Sequence, residues 1–101
     1  MKWRYVCDNE RLLCVVDERE RSLKVHYSKS GNGALNADNN GIFKSISNFL
    51  ELAYKKNGID LSDQILIELS LKIHGLIVSG EANAFTIPMI SDVDPEKISW
   101  Q

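Results

Sequence analysis

An α+β fold, with an antiparallel sheet covered on one face by two helices, follows from three features of the sequence. Residues 3–28 fall into three short apolar runs separated by charged turns. Residues 42–57 carry an apolar stripe at spacings of three and four. Leu61–Ser79 is the longest apolar run in the chain, and that much apolar surface has to be covered by other elements.

The first third reads as a three-stranded meander. Trp3–Cys7 (WRYVC) is a strand with Trp3, Tyr5 and Cys7 on one face. Asp8–Arg11 has turn chemistry. Leu12–Asp17 (LLCVVD) is apolar on both faces, which suits the middle strand. After the charged turn Glu18–Arg21, Ser22–Ser28 alternates Leu23, Val25 and Tyr27 inward against Lys24 and His26 outward. Lys29–Gly41 (KSGNGALNADNNG), rich in Gly, Asn and Ser, reads as a long flexible loop.

Ile42–Asn57 is predicted as an amphipathic helix. Ile42, Phe43, Ile46, Phe49, Leu50 and Ala53 form its apolar stripe, and Glu51 and Lys55 stand four apart. Lys55 and Lys56 suit the negative end of the helix dipole, and Gly58 closes the element.

Leu61–Ser79 carries two periods at once. As a strand over 64–74 it alternates Ile65, Ile67, Leu69, Leu71 and Ile73 against Glu68, Ser70, Lys72 and His74, which gives a five-stranded sheet with a single helix. As a helix over 62–79 it gathers Ile65, Leu66, Leu69, Ile73, Leu76 and Ile77 on one broad face, with Ile67, Leu71 and Val78 towards the back. So much apolar circumference is the mark of a buried helix. The punctuation favours that reading. Asp60 or Ser62 can cap the start, Asp63 lies in the first turn, Glu68 precedes Lys72 by four, and Gly80 follows the last apolar residue. Gly75 and the β-branched isoleucines argue against it. Ala84–Ile87 then opens a last strand segment, 84–90, which Pro88 ends or pushes to a sheet edge. Ser91–Gln101 reads as an irregular acidic tail anchored by Trp100.

The chain of 101 residues is a single domain, and its 44% hydrophobic and 26% charged content is that of an ordinary globular protein. The net charge of −2 is concentrated. Asp92, Asp94 and Glu96 against Lys97 account for all of it, which leaves the two signs balanced elsewhere. No basic patch of the kind that drives nucleic-acid affinity is present. With neither a secretory pattern nor an apolar span near the ~20 residues of a membrane helix, a cytoplasmic location is expected. Cys7 and Cys14 are then expected to be reduced, buried small residues.

Motifs for catalysis or metal binding fail on inspection. Asn36–Gly41 resembles the first half of a calcium loop, but its first position is Asn and its twelfth is Ser47, which lacks the closing bidentate carboxylate. Gly31-Asn-Gly33 has no Gly-Lys-Ser/Thr ending for a phosphate loop. His26 and His74 have no spacing that brings them into one cleft. No catalytic residue, metal or cofactor is therefore expected.

The expected function is a non-catalytic inhibitor of the immunity-protein or antitoxin kind, which neutralises one basic protein partner such as a nuclease toxin. Asp92, Asp94, Glu96 and Trp100, with Glu18 and Glu20 of the charged turn, are its expected contact residues. Direct nucleic-acid and membrane binding are not expected. Two other readings remain. One is a small ligand-binding or enzymatic domain that uses Lys24 and His26 with the 29–41 loop. The other is a homodimeric adaptor joined through an exposed sheet edge or face.

Overall fold

The computed structural model describes residues 4–6, 12–17, 20–27 and 39–101. Five antiparallel strands, β1 (Arg4–Val6), β2 (Leu12–Asp17), β3 (Ser22–Tyr27), β4 (Ala84–Pro88) and β5 (Ser99–Trp100), lie side by side in chain order. Helices α1 (Asn39–Lys56) and α2 (Asp63–Ser79) are inserted between the paired strands β3 and β4. The predicted α+β fold is thus the observed one, with β2 in the middle of the first three strands. Trp3, Cys7, the Asp8–Arg11 turn, Glu18 and most of the Lys29–Gly41 loop lie outside the described residues.

Alternation explains β3. Leu23, Val25 and Tyr27 are buried, and Lys24 and His26 are exposed. Register places Leu23 opposite Ile87 and Val25 opposite Phe85, four buried side chains on the face that the helices cover. The opposite face carries the pairs Lys24–Thr86 and His26–Ala84, with Lys24 and His26 exposed and Thr86 and Ala84 partly so.

The structure decides between the two periods of residues 64–74 in favour of a helix. Ser62 caps α2, its hydroxyl accepting from the Ile65 N–H at 3.2 Å, an interaction worth about 1 kcal/mol. At the other end Gly80 is left-handed (φ 78°), and its N–H donates to the Ile77 carbonyl at 3.1 Å while Glu81 donates to Leu76. Leu69, Ile73, Leu76 and Ile77 of α2 join Ile46, Phe49, Leu50, Ala53 and Tyr54 of α1 in one core. The buried Ser70 hydroxyl donates to the Leu66 carbonyl and accepts from Ser47 of α1, so the polar pair within the helix interface is satisfied. Burial of the whole helix is not observed. Ile67, Leu71 and Val78 stay exposed, because the sheet and α1 cover only one side of it.

Three further expectations are revised. First, α1 begins at Asn39, three residues before the apolar stripe. Second, β4 ends at Pro88, the first of the two outcomes expected of that proline, and stops short of residue 90; it is not an edge strand. It lies between β3 and β5, and Pro88 is tolerated because β5 pairs only with Phe85 and Thr86. Third, the acidic tail is structured. Val93 and Ile98 are core residues, Pro95–Lys97 forms a 3₁₀ turn, and Ser99–Trp100 adds the fifth strand.

Tyr54 links α1 to the end of β4, its hydroxyl donating to the Pro88 carbonyl at 2.7 Å. Burial pushes its phenol well above the ordinary value near 10. The folded state therefore holds this proton more tightly than the unfolded chain. The contribution is fully present below about pH 10 and declines as pH rises beyond it. Compared with Tyr54→Phe, wild-type stability should fall by about 1.4 kcal/mol per pH unit above that point, measured by urea unfolding between pH 8 and 11.

Candidate functional site

Lys72 organises the surface where α2 meets the chain after β4. Its ammonium is 3.6 Å from the Glu96 carboxylate and 5.1 Å from the centroid of the Trp100 ring. Trp100 comes here through register. It stands opposite the inward-facing Phe85, so its ring lies on the helix side of the sheet rather than on the other face. Glu96 is placed by the turn before it, where Asp94 caps Pro95–Lys97 by accepting from the Glu96 N–H at 3.0 Å.

Glu68, Leu71 and Lys72 of α2 and Asp94, Pro95 and Glu96 line one shallow depression of about 440 Å³. Leu71 is 55% exposed there, an apolar side chain among three carboxylates. Ile67, 51% exposed, continues the apolar surface one turn earlier. Such an arrangement suits protein recognition. An apolar centre loses water on contact, and a rim of net negative charge, three carboxylates against Lys72, steers a partner of opposite sign.

The sequence-predicted residues divide. Asp94, Glu96 and Trp100 converge on this surface. Asp92 is exposed in the turn after β4 and does not line the depression. Glu20 is exposed in the β2–β3 turn and lines a separate depression with Arg21, Lys24 and Lys97. The 3₁₀ turn separates the two, with Glu96 on one side and Lys97 on the other. Glu18 lies outside the described residues. Glu68 and Leu71 are not among the contact residues expected from the sequence. Their signal was the helical wheel, which sets Ile67, Leu71 and Val78 away from the core face with Glu68 beside them.

Lys24 and His26 share the face of the sheet opposite the helices and line a depression of about 470 Å³ with Thr86, Ser99 and Gln101. His74 is elsewhere, its ring edge-on to Phe43 of α1 at 5.8 Å, so the two histidines do not meet. Among the described residues, no group of three or more His, Cys, Asp or Glu side chains is placed to hold a metal ion. Among the same residues, no helix is long and apolar enough to cross a membrane.

The Lys72 contacts give a direct prediction. Lys72→Ala removes an ion pair and a cation over the ring, and should cost about 1 kcal/mol in urea unfolding. Trp100 emission should shift to the red as the ring loses its cover.

Compared with protein-family models, with curated proteins and with solved structures, the chain matches none.

Proposed function

We propose that the chain is a non-catalytic binding protein that covers a basic surface of one protein partner. It would act as an inhibitor of the immunity-protein or antitoxin kind, directed at a basic toxin such as a nuclease. The observation behind this reading is the exposed Leu71 among Glu68, Asp94 and Glu96, with Trp100 held alongside by Lys72. Leu71 and the Trp100 ring supply apolar contact, and the carboxylates supply steering and register.

Deleting Ser91–Gln101 is a poor test, because Val93 and Ile98 belong to the core. Point variants are cleaner. Asp94→Asn keeps a capping oxygen while removing the charge. The tagged chain is used as bait in an extract of its own source cells, beside a variant carrying Leu71→Ser, Glu68→Gln, Asp94→Asn and Glu96→Gln. A basic protein held by the wild type and released by the variant supports the reading. Equal retention by both baits contradicts it.

A second reading rests on the Lys24–His26 depression, whose mainly apolar lining with a lysine, an imidazole and two hydroxyls suits a small ligand that has an apolar body and a polar group. A ligand that shifts the His26 ring resonances in NMR, and loses affinity with Lys24→Ala, would favour it.

A further inference from the structure

Ile67, Leu71, Gly75 and Val78 run along the outer side of α2 at spacings of four, four and three. Ile67 and Leu71 are more than half exposed, Val78 is 41% exposed, and Gly75 is exposed between them. A side-chain carbon added at Gly75 would meet nothing within 4 Å, so among the described residues no contact asks for glycine there. Glycine in a helix interior is a poorer choice than alanine, and here the chain gains nothing visible in return. Residues four apart form the ridge that one helix sets into the groove of another. A ridge whose third member has no side chain is notched, and a notch admits a second backbone at close range.

The charge along this stripe indicates what occupies it. Asp63 and Glu68 flank it on α2, and Asp94 and Glu96 lie beside Leu71. Lys72 pairs with Glu96 and lies over Trp100, so those two charges largely offset each other and the acidic excess rests on Asp63, Glu68 and Asp94. A second copy would bring the same acidic excess, whereas a basic occupant complements it.

We infer that the outer stripe of α2 receives a basic amphipathic helix of the protein partner, with an apolar residue seated over Gly75 between Leu71 and Val78. The inference rests on the basic-partner reading above and specifies the element recognised. Packing of two four-spaced ridges sets the helices at about −50° to one another. Lysine or arginine residues on the flank of the incoming helix then face Glu68, Asp94 and Glu96.

The test uses the full chain and two synthetic Lys/Leu peptides of equal composition, each about 18 residues so that a helix is attainable. One places its leucines at helical spacing, and the other alternates them with lysine. The helical peptide should saturate at one per chain and bind about tenfold or more tightly than the other. Gly75→Leu should bring the two to the same level while leaving the alternating peptide unaffected. Gly75→Ala should raise the melting temperature by roughly 4 °C or more, which shows that the position tolerates a side chain. Equal binding of both peptides, unmoved by Gly75→Leu but weakened by Glu68→Gln with Glu96→Gln, overturns helix docking alone and leaves the basic-partner reading in place. Failure of both peptides to bind at ~1 mM overturns both. A wild-type chain that dimerises at micromolar concentration, and loses the dimer with Gly75→Leu, puts a second copy on the stripe and overturns the inference.

Discussion

Ile73→Ala should destabilise the fold by about 3 kcal/mol, whereas Leu71→Ala, two residues away, should cost about 0.5 kcal/mol or less. Ile73 is fully buried between the helices and the sheet, so truncation removes apolar burial and leaves a cavity that rigid neighbours fill only in part. Leu71 faces water on the far side of the same helix. Against a total of roughly 5–15 kcal/mol for a domain of this size, the first loss is a large fraction and the second is negligible. Urea unfolding of the two variants measures both. The contrast also separates the two periods of this segment. Two residues apart on a strand share a face, so a strand would make both substitutions expensive.

That contrast shows why α2 was legible in part only. Its caps were readable, since Ser62, Asp63 and Gly80 act through local hydrogen bonds and the dipole, which depend on near neighbours in the chain. Which side of α2 faces the core was readable from its broad apolar face; whether the back would also be covered was not. Its wheel is apolar nearly all round, and only the position of α1 and the sheet leaves Ile67, Leu71 and Val78 outside. β3 was legible because its alternation is clean and one of its faces meets the helices. β5 was not, because two residues carry no period. It forms because Ile98 is buried and the following residues pair with Phe85 and Thr86. The same long-range pairing sets Trp100 beside Lys72. Glu68 and Leu71 therefore joined the candidate site only through tertiary structure, and Glu20 left it for the same reason.

Leu71→Ser together with Glu68→Gln, Asp94→Asn and Glu96→Gln should weaken partner binding by about 2–3 kcal/mol, or roughly 30- to 150-fold. Leu71 accounts for about 1–2 kcal/mol of this, because more than half of its surface remains to be buried on contact. The carboxylates act mainly on encounter. Removing three like charges from the rim should slow association by about tenfold at low salt while changing dissociation little. Stopped-flow association and surface-plasmon dissociation rates separate the two contributions. The fold should tolerate all four changes, since each position is exposed.

The salt dependence of affinity tests the central claim, recognition of a basic partner by the acidic rim around Leu71, most directly. The basic protein retained by the wild type is titrated against wild type and against the variant carrying Glu68→Gln, Asp94→Asn and Glu96→Gln, from about 50 mM to about 500 mM salt, where the screening length falls from roughly 14 Å to 4 Å. Wild-type affinity is predicted to fall steeply and the variant's to stay nearly flat, with the two meeting at the high end. Parallel curves, or a variant as tight as wild type at low salt, would contradict the account.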